Sequence, residues 1–211
     1  MSKVLVIAAH SDDPIIGMGG TIMNLSSFGY DVTVMSVCGD RINGFEEAIK
    51  SLNARPIHLN FSYGNIDESK LKEYLEDFIK SFDFIFTHWS NEILYDHEIV
   101  SKISLETSRR LEKEIFMFEI PASSIGFEFD FAVDISDSYE SKVEAIETMR
   151  KAFESKIFEE EIYPSILYTS GFRGIQVGCK FAEVFKHCGS RFPLAPYKIK
   201  KIDFKNLFRG D

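Results

Sequence analysis

The run Val4-Leu5-Val6-Ile7-Ala8-Ala9 has no polar side chain on either face, and His10, Ser11, Asp12 and Asp13 follow it at once. A short run that is apolar throughout reads as a strand buried on both sides, the usual state of a strand in a parallel sheet covered by helices. An imidazole and two carboxylates then come just past the carboxyl end of a central strand. In open α/β sheets that rim is where ligands bind.

The rest of the chain alternates accordingly. Ile22, Leu25 and Phe28 predict a helix over Thr21–Phe28, stopped by Gly29. Asp31–Val37 is a second strand, and the polar loop Cys38–Gly44 lies at the same rim as His10. A short helix at Phe45–Leu52, a strand near Pro56–Phe61 and an amphipathic helix at Ser69–Phe82 follow. Phe84–Phe86 is a fourth strand, Thr87–Asp96 a loop, His97–Leu111 a helix and Ile115–Ile120 a fifth strand. Right-handed crossovers between such units give a Rossmann-like α/β fold with a mostly parallel, doubly wound sheet. The last third is an irregular α+β segment. It has an alternating strand at Phe127–Ile135, a charged helix from Tyr139 to about Glu160 and a helix at Ile175–Lys186. Pro193, Pro196 and a basic stretch around Lys198–Lys201 come last. With no repeat or linker in 211 residues, one domain over 1–211 is the economical expectation.

A net charge of −9 argues against a nucleic-acid or anionic-membrane partner. No apolar stretch approaches a membrane span, and the N-terminal one is too short for a signal peptide. Cys38, Cys179 and Cys188 show no C-x-x-C spacing, which speaks against a disulfide framework or an all-cysteine zinc site. A cytoplasmic protein is expected.

Gly17, Gly19 and Gly20 invite a dinucleotide-binding reading, but G-x-G-x-x-G is not present in order, and Asp12 and Asp13 would repel a pyrophosphate. The glycines suit close packing of the first helix on the sheet. Asp13 before Pro14 makes a good helix start, with Asp13 as N-cap, which leaves His10 and Asp12 unexplained. A second cluster, His88 to His97, lies past the fourth strand, a neighbour of the first in a doubly wound sheet. His97 facing His10 and Asp13 would make a catalytic divalent-metal site, most simply zinc. Asp96 either orients an imidazole or caps the helix that His97 begins. A phospho-receiver reading also has paired acids after strand one. It expects an aspartate ending strand three, where this chain has His58-Leu59-Asn60-Phe61.

Together the clusters resemble the PIG-L/LmbE-like family of zinc-dependent N-deacetylases. Its A-H-P-D-D-E motif followed by G-x-G-G-T stands here as Ala9-His10-Ser11-Asp12-Asp13-Pro14 and Gly17-Met18-Gly19-Gly20-Thr21. Its H-P-D-H stands as Leu94-Tyr95-Asp96-His97. Val133-Asp134-Ile135-Ser136 with Lys142, and Arg173-Gly174 with Gly178 and Phe181-Ala182-Glu183-Val184-Phe185, look like further family segments. The resemblance implies His10, Asp13 and His97 as ligands of Zn2+ or another divalent ion, and Asp12 as general base. It also implies Asp96 as catalytic support and, on thinner grounds, Arg41 as a substrate contact. The implied substrate is an N-acetylated amino sugar or related small conjugate, and a homo-oligomer is compatible with it. Leu94 departs most seriously, because the family's histidine there helps polarise the carbonyl or protonate the leaving group. His88, Tyr95 or a tyrosine from another loop would have to replace it. Otherwise the substrate class differs, activity is weak, or the protein binds a sugar-like ligand without turning it over.

Overall fold

The computed structural model describes residues 2–188 and the backbone of 200–201. Five strands run parallel: β1 (Lys3–Ala8), β2 (Asp31–Cys38), β3 (Arg55–Phe61), β4 (Phe84–His88) and β5 (Glu114–Phe118), in the spatial order β3-β2-β1-β4-β5. Beyond β5 the order continues with β7 (Ala182–Cys188), β6 (Phe131–Asp134) and the two-residue β8 (Lys200–Lys201). β7 is antiparallel to both β5 and β6. The chain leaves β1 toward β2 and β3 and returns on its other side at β4, so the switch point lies between β1 and β4.

Alternation along β1 feeds two cores. Val4, Val6 and Ala8 pack with α1 (Asp13–Ser27), α2 (Phe45–Ser51) and α5 (Tyr139–Thr148) on one face. Leu5, Ile7 and Ala9 pack with α3 (Glu68–Phe78) and α4 (Tyr95–Arg110) on the other. The parallel, doubly wound reading therefore holds for the first five strands. Among the described residues, no helix is long and apolar enough to cross a membrane.

α1 starts at Asp13, eight residues before the helix expected from Thr21, because its first turns are hidden among glycines. It is kinked at Met18, whose φ of −153° is not helical. Close packing requires two of its glycines: a Cβ on Gly17 would stand 2.5 Å from Phe118, and one on Gly20 would stand 2.7 Å from Ile135. Gly20→Ala should therefore cost about 1–3 kcal/mol through overpacking. Thermal melting checks this, and an unchanged midpoint would mean that the helix can retreat from Ile135 freely.

The C-terminal segment departs most from the sequence expectation. The helix expected at Ile175–Lys186 is instead the end of α7 followed by strand β7. After α5 come a 3-10 turn (Arg150–Ala152), the single turn α6 (Ser155–Ile157), a π-helical Phe158–Ile162 and α7 (Tyr163–Val177). The charged helix expected from Tyr139 to Glu160 is thus broken after Thr148. Val177, Phe181, Val184 and Phe185 do have helical spacing, but Gly178 takes φ +79° and closes α7 as a left-handed cap. The strand expected at Phe127–Ile135 shortens to β6. Pro193, Pro196 and Lys198 lie outside the described residues, and of the basic stretch only the backbone of Lys200–Lys201 is described.

Met18's kink is braced from the C-terminal half. In an unbroken helix the Gly20 N–H would donate to the Ile16 carbonyl. Here Gly20 and Thr21 donate to the two oxygens of Glu183 in β7, at 3.0 and 2.7 Å. Lys142 Nζ of α5 donates to the Ile16 carbonyl at 2.8 Å and to Glu183 at 2.7 Å. A buried ion pair is thus inserted into the helix ladder, and it occupies the two C-terminal segments singled out in the sequence.

Candidate metal centre

His10 follows β1 by two residues, Asp13 opens α1, and His97 is the third residue of α4. The switch point brings them together. His10 Nδ1 lies 3.1 Å from His97 Nε2, and Asp13 Oδ2 lies 3.4 Å from the first nitrogen and 3.2 Å from the second. An ion held tetrahedrally at about 2.0–2.1 Å keeps its ligand atoms about 3.3 Å apart, so these three atoms already have the edges of such a site. Asp13 is fixed by the His10 backbone N–H, which donates to its Oδ2 at 2.8 Å.

Each imidazole is oriented from behind. Asp96 Oδ2 is 3.1 Å from His10 Nε2 and also accepts the Gly64 N–H at 2.9 Å. Glu92 Oε2 is 3.3 Å from His97 Nδ1, and the Ser123 and Ser124 hydroxyls both donate to the Glu92 carboxylate. Carboxylate–histidine pairs of this kind fix the ring and its tautomer, leaving the other nitrogen for a metal. Glu92→Gln should weaken divalent-metal affinity about 10- to 100-fold, measurable by competition with a chelating indicator. An unchanged affinity would leave Glu92 a packing group.

Charge in the pocket favours a cation. Burial opposes a charge on His10, yet Asp13 and further contacts with Cys38 and Asp96 push its pKa up to about 12. Burial is likewise outweighed at His97, where Asp13 and Glu92 raise the pKa to about 9. Burial would lift Asp13, but the three imidazoles His97, His88 and His10 hold it well below the usual range. Four acids, Asp12, Asp13, Glu92 and Asp96, thus surround the imidazoles, an arrangement that raises the affinity of His10 and His97 for protons. A bound metal displaces those protons.

Asp12 stands at the N-cap of α1, one place earlier than the sequence reading, which gave that position to Asp13. Its carbonyl accepts from Ile15 and Ile16, both at 3.0 Å, while its carboxylate caps no helix N–H. Burial and the neighbouring Asp13 charge push its pKa up to about 6. Arg41 takes a left-handed φ of +56°, and its carbonyl accepts from the Ser11 hydroxyl at 2.8 Å. The loop after β2 is thereby tied to the site, while the guanidinium lies over Phe153, 5.9 Å from the ring centroid.

Of the replacements considered for Leu94, His88 is disposed of by its placement. It ends β4, is fully buried, and its Nε2 accepts the Ala9 N–H at 2.9 Å, so it stands behind Asp13 and away from solvent. Tyr95 is exposed on the first turn of α4. Tyr63, in the turn after β3, stacks on His10 with ring centroids 4.8 Å apart. Sequence reasoning gave no role to Glu92 or Tyr63. Tyr63 reaches His10 from another crossover and Glu92 is held by serines of the loop after β5, and no spacing in the chain announces either contact.

The sequence profile of the PIG-L family, described as GlcNAc-PI de-N-acetylase, matches residues 5–108, which include every residue of this centre except Ser123 and Ser124. Residues 5–108 belong to the PIG-L family. No curated protein sequence matches the chain. Among solved structures, the chain is similar to the N,N'-diacetylchitobiose deacetylase of Pyrococcus horikoshii at 21% identity and a TM-score of 0.78, over 90% of this chain and 84% of that one. It is similar to the A40926 pseudoaglycone deacetylase Dbv21 at 13% identity and a TM-score of 0.72, over 91% and 99%. GalB, the 4-carboxy-2-hydroxymuconate hydratase of Pseudomonas putida, is comparably similar at 18% and 0.76, over 95% and 100%. The likeness in fold therefore extends past the matched residues through the C-terminal strands. The fold also carries more than one chemistry, so the reaction has to be argued from the site.

Proposed function

We propose that the protein is a metal-dependent hydrolase that removes an acetyl or other acyl group from the amide nitrogen of an N-acetylated amino sugar or related small conjugate. The observation that carries this reading is the triad His10, Asp13 and His97, whose ligand atoms stand 3.1–3.4 Å apart with an unligated carboxylate, Asp12, beside them. A divalent ion there, most simply zinc, supplies a Lewis acid for the amide carbonyl and a water of lowered pKa.

The chain's own residues do the rest. Asp12 takes the proton of the attacking water and delivers it to the departing nitrogen. Its neighbour Asp13 opposes its ionisation, which suits a carboxylate that must both accept and release a proton. The C–N bond breaks, the hydroxyl stays on the acyl carbon, and the products are a carboxylic acid and a free amine. Asp96 and Glu92 hold the two imidazoles in place, and Arg41 is proposed to contact the substrate from the loop after β2.

The test is amine and acetate release from N-acetylglucosamine and its glycosides, with the protein loaded with zinc or manganese and then stripped by a chelator. Release that stops on chelation and returns on reloading supports the reading. Sugar binding without amine release instead favours a non-catalytic family member. Water addition to an unsaturated acid without amine release favours hydration chemistry.

A further inference from the structure

Large apolar side chains are left exposed on the segments that frame the metal centre. Among the described residues they include Tyr63 (56% exposed), Ile93 (66%), Leu94 (36%), Tyr95 (55%) and Ile125 (58%). These five lie on the segments that follow β3, β4 and β5, with Tyr95 opening α4, at the carboxyl ends of parallel strands and on the rim where His10 stands. A second group of exposed apolar side chains, Leu167, Tyr168, Phe172 and Ile175, lies on α7.

Contacts that orient the ligands hold the three loops in place. The turn after β3 is fixed by the Tyr63 N–H donating to Asp40 at 2.7 Å and by the Gly64 N–H on Asp96, and it lays the Tyr63 ring on His10. The segment before α4 is joined to the loop after β5, with the Ile93 N–H on the Ser123 carbonyl at 3.2 Å and the Asn91 amide on the Ile125 carbonyl at 3.4 Å. That loop also supplies the serines on Glu92, so the apolar side chains and the imidazoles are positioned by the same framework. Leu94 is the N-cap of the helix that carries His97, with no side-chain cap of its own. Leucine is a poor choice there for the helix, since Ser, Thr, Asp or Asn would bond a free N–H. Its exposed place at the start of the helix that carries His97 gives it a different use. Exposed apolar side chains on the loops that hold a functional group mark a binding surface.

We infer that these side chains form an apolar collar on the active site, and that the substrate carries an alkyl or aryl group within a few bonds of the scissile amide. This rests on the amide-hydrolase reading and adds the substrate class to it. The apolar group can belong to the acyl chain or to the group attached to the amine, and the collar recognises the same chemistry in either. Arg41 lies on the loop after β2, outside the collar, and meets the polar part.

Two substrate series test the inference on the metal-loaded protein. One varies the acyl chain of N-acyl-glucosamine from acetyl to octanoyl. The other keeps N-acetyl and varies the glycoside from methyl to octyl and phenyl. In one series kcat/KM should rise about two- to fourfold per methylene over the first few carbons, the value of burying a CH2. Leu94→Ser and Ile125→Ser should each cut the octyl-to-methyl or octanoyl-to-acetyl ratio at least about fivefold. Serine suits an N-cap, so Leu94→Ser keeps the helix start. Amine release that is flat or falling with chain length in both series overturns the collar and leaves the hydrolase reading standing. Absence of release from every substrate overturns the hydrolase reading. Calorimetric binding of octanoate against acetate, and of octylamine against methylamine, then decides the collar by itself: a tenfold or greater preference for a long chain supports it and none overturns it.

Discussion

Asp12→Asn should lower kcat about 10²- to 10⁴-fold while the protein still binds one divalent ion with nearly unchanged affinity. The size follows from losing a positioned proton carrier. The retained metal follows from the proposed geometry: the candidate ligand atoms come from His10, Asp13 and His97, and Asp12 spends only its backbone carbonyl on α1. Asn keeps the shape of the side chain and the helix start. Asp13→Asn is the contrasting variant. It removes the charge that holds the two imidazoles and leaves one amide oxygen in the triad, so metal content measured after dialysis should fall together with activity. Equal loss of metal in both variants would mean that the roles of the two adjacent acids are not separated as assigned. Full activity in Asp12→Asn would transfer the base to another group.

Much of this centre was legible because its residues follow elements that announce themselves. The apolar run of β1 puts His10 and Asp13 at a known rim, and the fourth strand with its helix puts His97 on the neighbouring rim. Asp96 is expected from the sequence either to orient an imidazole or to cap the helix of His97, and its Oδ2 lies 3.1 Å from His10 Nε2. Glu92 was not legible. Its partners are two serines more than thirty residues on, and loop-to-loop contacts of that kind leave no periodic trace. The C-terminal segment failed for a local reason. Four apolar residues kept helical spacing across Gly178, whose left-handed backbone ends α7 and releases Ala182–Cys188 to pair with β5 and β6.

That segment also changes the meaning of two motifs. Lys142 and Glu183 looked like family segments without a stated task. They touch none of the three candidate ligands and act on the backbone of α1, which carries Asp12 and Asp13 at its start. The site is thus supported from strands and helices far along the chain, outside the residues that the family profile matches.

Lys142→Met should destabilise the protein by about 3–5 kcal/mol, the usual cost of removing one partner of a buried ion pair. Both side chains are almost fully buried, at 1% and 2% exposure, so no water replaces the lost ammonium. The Glu183 carboxylate would keep only the Gly20 and Thr21 N–H groups, and the Ile16 carbonyl would lose its donor. For a chain of 211 residues each kcal/mol moves the midpoint about 2–4 °C, so a fall of about 10 °C is expected in thermal unfolding. The double variant Lys142→Met/Glu183→Met separates an unpaired charge from a lost brace. With both charges gone, Gly20 and Ile16 are free to bond each other and straighten α1, and the midpoint should recover most of the way. Amide hydrolysis in that same double variant should stay low despite its recovered stability, because Asp12 and Asp13 sit at the end of the helix that has straightened. A single variant melting within 2 °C of the parent would show that the pair is not a brace, and a fully active double variant would show that the kink does not set the site.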